Sequence, residues 1–219
     1  ANVNKAFAAE SVSNKPHYLQ PYQDAVHKYG GTFDATLWIS KEGQRARFDV
    51  MRNFVDFEHC SILDVGCGIG DFAQFLVDHH VEFESFLGID AMDKMIETAT
   101  NRSIPNATFS AVDVVTSLDQ LQEADWVTCS GTLNAMGEEL AIKVIDALYD
   151  HCTVGLAFNF LSNRSGRDPE SECLEPASRF NTLELLQHVL RKTPLVSFTQ
   201  AYLGGHDATI VIRKPEKRQ

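Results

Sequence analysis

In ILDVGCGIGDF, residues 62–72, Gly66, Gly68 and Gly70 stand at every second position behind a short apolar run. Glycine tolerates the backbone angles of a tight turn and lets backbone N–H groups approach a ligand with no Cβ in the way. The acids around this turn define what it can hold. Asp64 precedes it, Asp71 follows it, and Asp90 and Asp113 end the next two apolar runs. Carboxylates repel phosphate, accept hydrogen bonds from paired hydroxyls and attract cations. The dinucleotide fingerprint G-x-G-x-x-G would need glycine at position 71, where this chain has Asp71. The expected ligand is therefore not a polyphosphate.

Such a ligand site needs strands that end together. From Ser61 onward, β-rich runs alternate with helical patterns: SILDVG then DFAQFLVDHH, SFLGID then AMDKMIETAT, ATFSAV then a weak helix near Ser117–Gln122, ADWVTCSG then GEELAIKVIDALYD, and HCTVGLAFNF. That alternation predicts a parallel sheet with crossover helices and strands apolar on both faces. A helix is expected over Leu183–Leu190, followed by two β runs joined through a GGHD turn, an antiparallel hairpin. The prediction is an α/β, Rossmann-like fold with a seven-stranded, mostly parallel sheet, an antiparallel edge strand and an N-terminal helical cap. Residues 1–58 are expected to form the cap, with a helix over EGQRARFDVMRNFVDF, and residues 59–219 the ligand-binding domain. In such a sheet, ligands lie outside the carboxyl ends of the strands.

With these elements in place, LDVGCGIG resembles the first motif of the class I S-adenosylmethionine-dependent methyltransferases. The resemblance covers residues 58–160 most closely, and the terminal helix and hairpin fit the family's last strands. It implies an enzyme that transfers the methyl group of S-adenosylmethionine and releases S-adenosylhomocysteine. It also implies roles. Asp64 would lie near the methionine amine, and Gly66, Cys67, Gly68 and Gly70 under the methionine and ribose. Asp90 matches the residue that holds both ribose hydroxyls, with Ala91 and Met92 beside it. Asp113 matches the acid beside the adenine amino group, with the Val114 N–H on the ring. At the fourth strand end, CSGTLNAM puts Ser130, Gly131 and Asn134 around the transferred methyl group, although Asn134 reads equally well as a helix cap. The N/D-P-P-Y/F pattern of enzymes that methylate amino groups in DNA or glutamine is not there.

The acceptor side is harder to read, because positioning supplies much of the catalysis and a base is needed only if the acceptor must lose a proton. HKYGGTFDATLWISKEGQRARF resembles the N-terminal region of a small bacterial subgroup of these enzymes. Tyr29 and Trp38 are expected as a lid, or as packing. Gln44 and Arg47 share a helix face, which sets Arg47 against the cofactor carboxylate or leaves it in solvent. Arg164, Arg167 and Arg179 lie in the loop 161–179, where they hold an acceptor anion or decorate a surface. His17, His27, His151 and His206 are candidate bases among which spacing does not choose, whereas His79 and His80 sit at a helix end and suit its dipole.

Whole-chain properties set limits. Net charge is zero over residues 1–58, −13 over 59–160 and +2 over 161–219, so the middle would repel a phosphate backbone. The five cysteines are scattered and contain no CxxC pair, which argues against both a disulfide framework and a zinc site. No run is long enough to cross a membrane, and a cytoplasmic location is expected. The expected partner is a small-molecule acceptor presenting oxygen or nitrogen, not nucleic acid or membrane. No metal is expected, and nothing in the pattern sets an oligomeric state. A nicotinamide-dependent oxidoreductase and a non-catalytic cofactor-binding module are the competing readings.

Overall fold

The computed structural model describes residues 17–164 and 177–216. Two helices come first, α1 (Gln20–Tyr29) and α2 (Lys41–Phe54). Pro21 opens α1, where a missing N–H costs nothing, and the Ser40 side chain caps α2 by accepting from Gly43 N at 3.0 Å. The alternating core follows: β1 (Ser61–Val65), α3 (Asp71–Asp78), β2 (Ser85–Asp90), α4 (Asp93–Asn101), β3 (Ala107–Ala111), β4 (Ala124–Cys129), α5 (Glu138–Asp150) and β5 (Cys152–Leu161). Then come α6 (Thr182–Leu190), β6 (Val196–Thr199) and β7 (Asp207–Arg213).

All seven strands form one sheet in the order β3-β2-β1-β4-β5-β7-β6. Strand β7 runs antiparallel to both its neighbours, so the antiparallel pairing sits at the expected side of the sheet with β7 inserted between β5 and the outermost strand β6. Leu161, at the carboxyl end of β5, pairs with Asp207, the first residue of β7. The reversed strand therefore delivers its beginning, not its end, to the edge where the parallel strands finish. The helix expected near Ser117–Gln122 is replaced by two short 3₁₀ turns, Val114–Thr116 and Leu118–Gln120. Asp113 bonds back to Val115 N at 3.0 Å, the local pairing by which Asp favours a turn over a longer helix.

Alternate strand residues feed two cores, as expected of a sheet covered on both faces. On one face Ile62, Trp126, Ala157 and Val211 meet Phe48 and Met51 of α2 and Phe72, Phe75 and Leu76 of α3. On the other, Leu63, Val127, Leu156 and Ile210 meet Val144, Ile145 and Leu148 of α5 and Leu185 and Val189 of α6. The Phe48 and Phe72 rings lie 5.0 Å apart, which ties α2 into the main core. Thus α2 is part of the sheet's covering layer. A smaller cluster joins Ala25 of α1 and Ala35 to Met92 and Met95 beside the β2 end. Among the described residues, no helix is long and apolar enough to cross a membrane.

Candidate active site

A cavity of about 540 Å³ runs along the carboxyl ends of β1, β2 and β4 and continues to the start of β7, roofed by residues of α1, α2 and the segment between them. Its floor is the turn after β1. Gly66 and Cys67 both donate their N–H to Ile89 O, at 2.8 and 3.0 Å, which locks the turn to β2. Gly66 has φ +73°, and a Cβ there would lie 1.8 Å from Thr132 Oγ1, so any other residue would collide with the turn after β4. Gly70 plays another part than the one expected. It is not in the cavity wall, and a Cβ on it would meet the Phe109 ring at 2.9 Å, so it is a packing glycine at the start of α3.

Three acids converge on the cavity at three successive strand ends. Asp64 is buried, and Thr128 Oγ1 donates to its Oδ1 at 2.7 Å. Burial pushes its carboxyl up to about 7, with the charge of Asp90 adding to this and the Thr128 hydrogen bond opposing it. Asp90 accepts Met92 N on Oδ1 at 2.9 Å and Gly68 N on Oδ2 at 3.0 Å, which leaves each oxygen a second lone pair. Burial raises its pKa as well, against the pull of those two N–H groups. Asp113 accepts the Tyr18 hydroxyl on the oxygen that also bonds Val115 N. Ala91, Met92 and Val114 line the wall between the acids.

This donor set fits a cationic, diol-bearing ligand. Asp64 is a buried acid with one hydrogen-bond donor among the described residues, and its charge is stabilised by an incoming ammonium. Asp90 retains one acceptor site on each oxygen, the spacing a vicinal diol requires. Asp71, where a third dinucleotide glycine would stand, instead takes Arg102 Nη1 at 2.7 Å and Gln44 Nε2 at 3.1 Å. Tyr22 lies over Asp90; burial, then the charge of Asp90, pushes its phenol up to about 12.

Beyond the acids, the turn after β4 is held by a residue no motif announces. Asn159, fully buried on β5, accepts Gly131 N at 2.8 Å and donates to Ser130 Oγ at 2.8 Å. Trp38 covers this turn: a Cβ on Gly131 would lie 2.6 Å from its ring. Asn134 lines the cavity and accepts Leu161 N at 3.0 Å; it caps no helix, because Gly137 precedes α5.

Three expectations on the acceptor side change. Arg47 does not offer a spare charge to the cofactor carboxylate. Its Nε and Nη2 grip both oxygens of buried Asp207 at 2.6 and 2.7 Å, Nη1 bonds Gly43 O, and its plane lies 4.5 Å from the Trp38 ring centre. Tyr29 is exposed at the end of α1 under Lys28, outside the cavity, so of the expected aromatic pair Trp38 alone lines the cavity. Arg164 is exposed and outside the cavity wall; Arg179 ties the carbonyls of Ser162 and His206 together; Arg167 lies outside the described residues. Of the candidate histidines with described side chains, His206 alone lines the cavity, and its Nδ1 is 2.9 Å from Asp207 Oδ2. The His151 ring bonds its own helix at Ala147 O. Sequence reading did not single out Asp207, Asn159, Tyr18 or Tyr22, which act through partners distant in the chain.

Residues 62–155 match the family model described as "Methyltransferase domain". Among solved structures, the fold resembles the magnesium protoporphyrin IX methyltransferase of Synechocystis PCC 6803 crystallised with S-adenosylhomocysteine (TM-score 0.63, 15% identity, 89% of this chain and 93% of that one). It also resembles the N-methyltransferase NodS of Bradyrhizobium japonicum WM9 in complex with the same product (TM-score 0.64, 15% identity, 90% and 99%). The small RNA methyltransferase HEN1 shares the fold over 80% of this chain and 26% of its own, with TM-score 0.64 and 15% identity. A search of curated protein sequences returned no match. Residues 62–155 thus match a methyltransferase domain, on a fold shared with methyltransferases crystallised with S-adenosylmethionine or S-adenosylhomocysteine.

Proposed function

We propose that the chain methylates an oxygen or nitrogen of a small molecule. In this reading, Asp64 holds the methionine amine, Asp90 both ribose hydroxyls, and Asp113 with the Val114 N–H the adenine edge. The bound sulfonium then directs its methyl group toward Ser130, Gly131 and Asn134. The observation that carries the proposal is the single cavity in which the acid-lined half continues into a half walled by Trp38, Leu37, Ile39, Met136, Leu161 and Leu203. A mainly apolar recess with a few polar groups suits a compact acceptor body.

Nucleic acid is disfavoured as acceptor by the −13 charge of residues 59–160, which would cost rather than supply backbone affinity. We take residues 17–40 as a cap over a domain whose covering layer includes α2, and we place the protein in the cytoplasm on the strength of its unpaired Cys60, Cys67, Cys129 and Cys152. S-adenosylmethionine labelled in its methyl group, incubated with the protein and a deproteinised bacterial extract, tests the acceptor class. Label is expected in a small molecule. Label in RNA added to the same mixture, with none in small molecules, would overturn the proposal.

A further inference from the structure

The turn after β4 holds two hydrogen-bond donors at the cavity that the described residues leave unspent. Asn159 Oδ1 must face Gly131 N, so Asn159 Nδ2 is the donor to Ser130 Oγ, each bond being 2.8 Å long. A hydroxyl that accepts this bond keeps its own proton for another partner. Ser130 lines the cavity, and its side chain has no second partner. Two residues further along β5 the same device recurs. Leu161 N donates to Asn134 Oδ1 at 3.0 Å, which assigns both amide N–H groups to Nδ2. Asn134 is only 7% exposed and lines the same cavity, yet no described residue accepts from that Nδ2. Its backbone is fixed as well, because Ser178 N donates to Asn134 O at 2.9 Å. A nearly buried amide with both donors unspent is costly unless a ligand supplies the acceptor. Strand β5 therefore orients two donors from one turn into a recess walled by Trp38, Met136 and Leu161.

Resting on the methyltransferase reading above, we infer that the methyl acceptor is a carboxylate, selected by Ser130 and Asn134, and that the product is a methyl ester. A carboxylate has about four lone-pair sites, so it accepts from both residues and keeps a pair for the methyl carbon. That pair forms the new O–CH3 bond, the pair of the S–CH3 bond stays on sulfur, and a neutral thioether leaves. No proton moves. The anion and the sulfonium cation become two neutral products, an outcome that apolar walls favour over keeping the charges apart. An amine has one lone pair, which the methyl carbon takes, and it would turn N–H groups toward the Asn134 donors. A hydroxyl would bring a proton that neither Ser130 nor the Asn134 amide is basic enough to remove. The buried Asp207 at the far side of the recess does not oppose an anion, because Arg47 neutralises it through bonds of 2.6 and 2.7 Å.

The test is methyl-labelled S-adenosylmethionine incubated with the protein and the deproteinised bacterial extract, followed by mild alkali. Alkali hydrolyses a methyl ester and releases labelled methanol, whereas methyl ethers and N-methyl groups survive. The wild type is expected to give volatile label. Asn134→Asp keeps the oxygen that faces Leu161 N but replaces the donors with negative charge. It should raise the extract concentration needed for half-maximal rate by about 10- to 150-fold, the scale of hydrogen bonds to a charged group. Ser130→Ala, which leaves the Asn134 bond to Leu161 untouched, should raise it by about 10-fold. Both variants should bind S-adenosylmethionine as the wild type does, read by calorimetry, which also shows that they fold. Alkali-stable label, or half-maximal concentrations within two-fold of wild type in both variants, would overturn the carboxylate assignment and leave the methyltransferase reading intact. Cofactor binding with no label in the extract would overturn that assignment too; a wild type that binds no cofactor would overturn both.

Discussion

The two halves of the cavity are built in opposite ways. Along β1, β2 and β3, Asp64, Asp90 and Asp113 follow one another at strand ends, and the first two retain acceptor capacity that hydrogen bonds within the protein do not use. At the β7 side, Arg47 and Asp207, 160 positions apart in the chain, spend their charges on each other. One half is held ready for a ligand at a cost in desolvation; the other is stapled together. Substitutions should therefore separate affinity from stability.

The largest effect is expected at the staple. Arg47→Met strips both guanidinium hydrogen bonds from buried Asp207, leaving it the His206 ring, and should cost about 3 to 5 kcal/mol of stability, read as a lower urea midpoint. Restoring an apolar pair with Arg47→Met and Asp207→Leu together should recover most of that loss. If the single variant unfolds at the wild-type midpoint, the two halves do not differ in this way.

Asp64 should show the reverse. Its carboxyl sits near 7 when folded, against roughly 4 in an unfolded chain, so between those values the folded protein holds the extra proton and stability falls as pH rises. The penalty is complete above about pH 7. Asp64→Asn removes the titration and should stabilise the cofactor-free protein at pH 8 by about 1 to 3 kcal/mol, while weakening S-adenosylmethionine by a similar amount. Calorimetry of the wild type below pH 7 should register proton release as the ammonium is taken up, because Asp64 must ionise to receive it. Affinity unaffected by this variant would remove Asp64 from the amine site.

Asp90→Ala should cost about 1 to 3 kcal/mol in cofactor binding, the scale of hydrogen bonds to a charged acceptor, with little change in urea midpoint. The smallest effect is expected from Tyr18→Phe. The Tyr18 hydroxyl occupies Asp113, so its removal frees that carboxylate and should tighten cofactor binding by about 1 kcal/mol or less. Weaker binding would instead show that Tyr18 helps to hold the cofactor.

The same contrast explains what the sequence disclosed. The glycine turn and its acids are legible because each sits within a few residues of the strand that positions it, and alternating periodicity reveals those strands. The hairpin is legible from its short glycine turn. Nothing local distinguishes the insertion of β7 between β5 and β6, and with it the arrival of His206 and Asp207 at the active edge. Arg47 has helical spacing that suits either solvent or a ligand, and only the fold reveals Asp207 opposite it. Gly70 belongs to the motif by spacing, yet Phe109, on a strand two places away in the sheet, determines its role. Tyr29 fails as a lid because α1 ends with its ring turned outward under Lys28.

Calorimetric titration of S-adenosylmethionine into wild type, Asp90→Ala and His206→Gln tests the division of the cavity most directly. Asp90→Ala is expected to bind about 5 to 150 times more weakly, and His206→Gln to match the wild type. Equal losses in the two variants, or full affinity in Asp90→Ala, would contradict the assignment of cofactor and acceptor to opposite ends of the site.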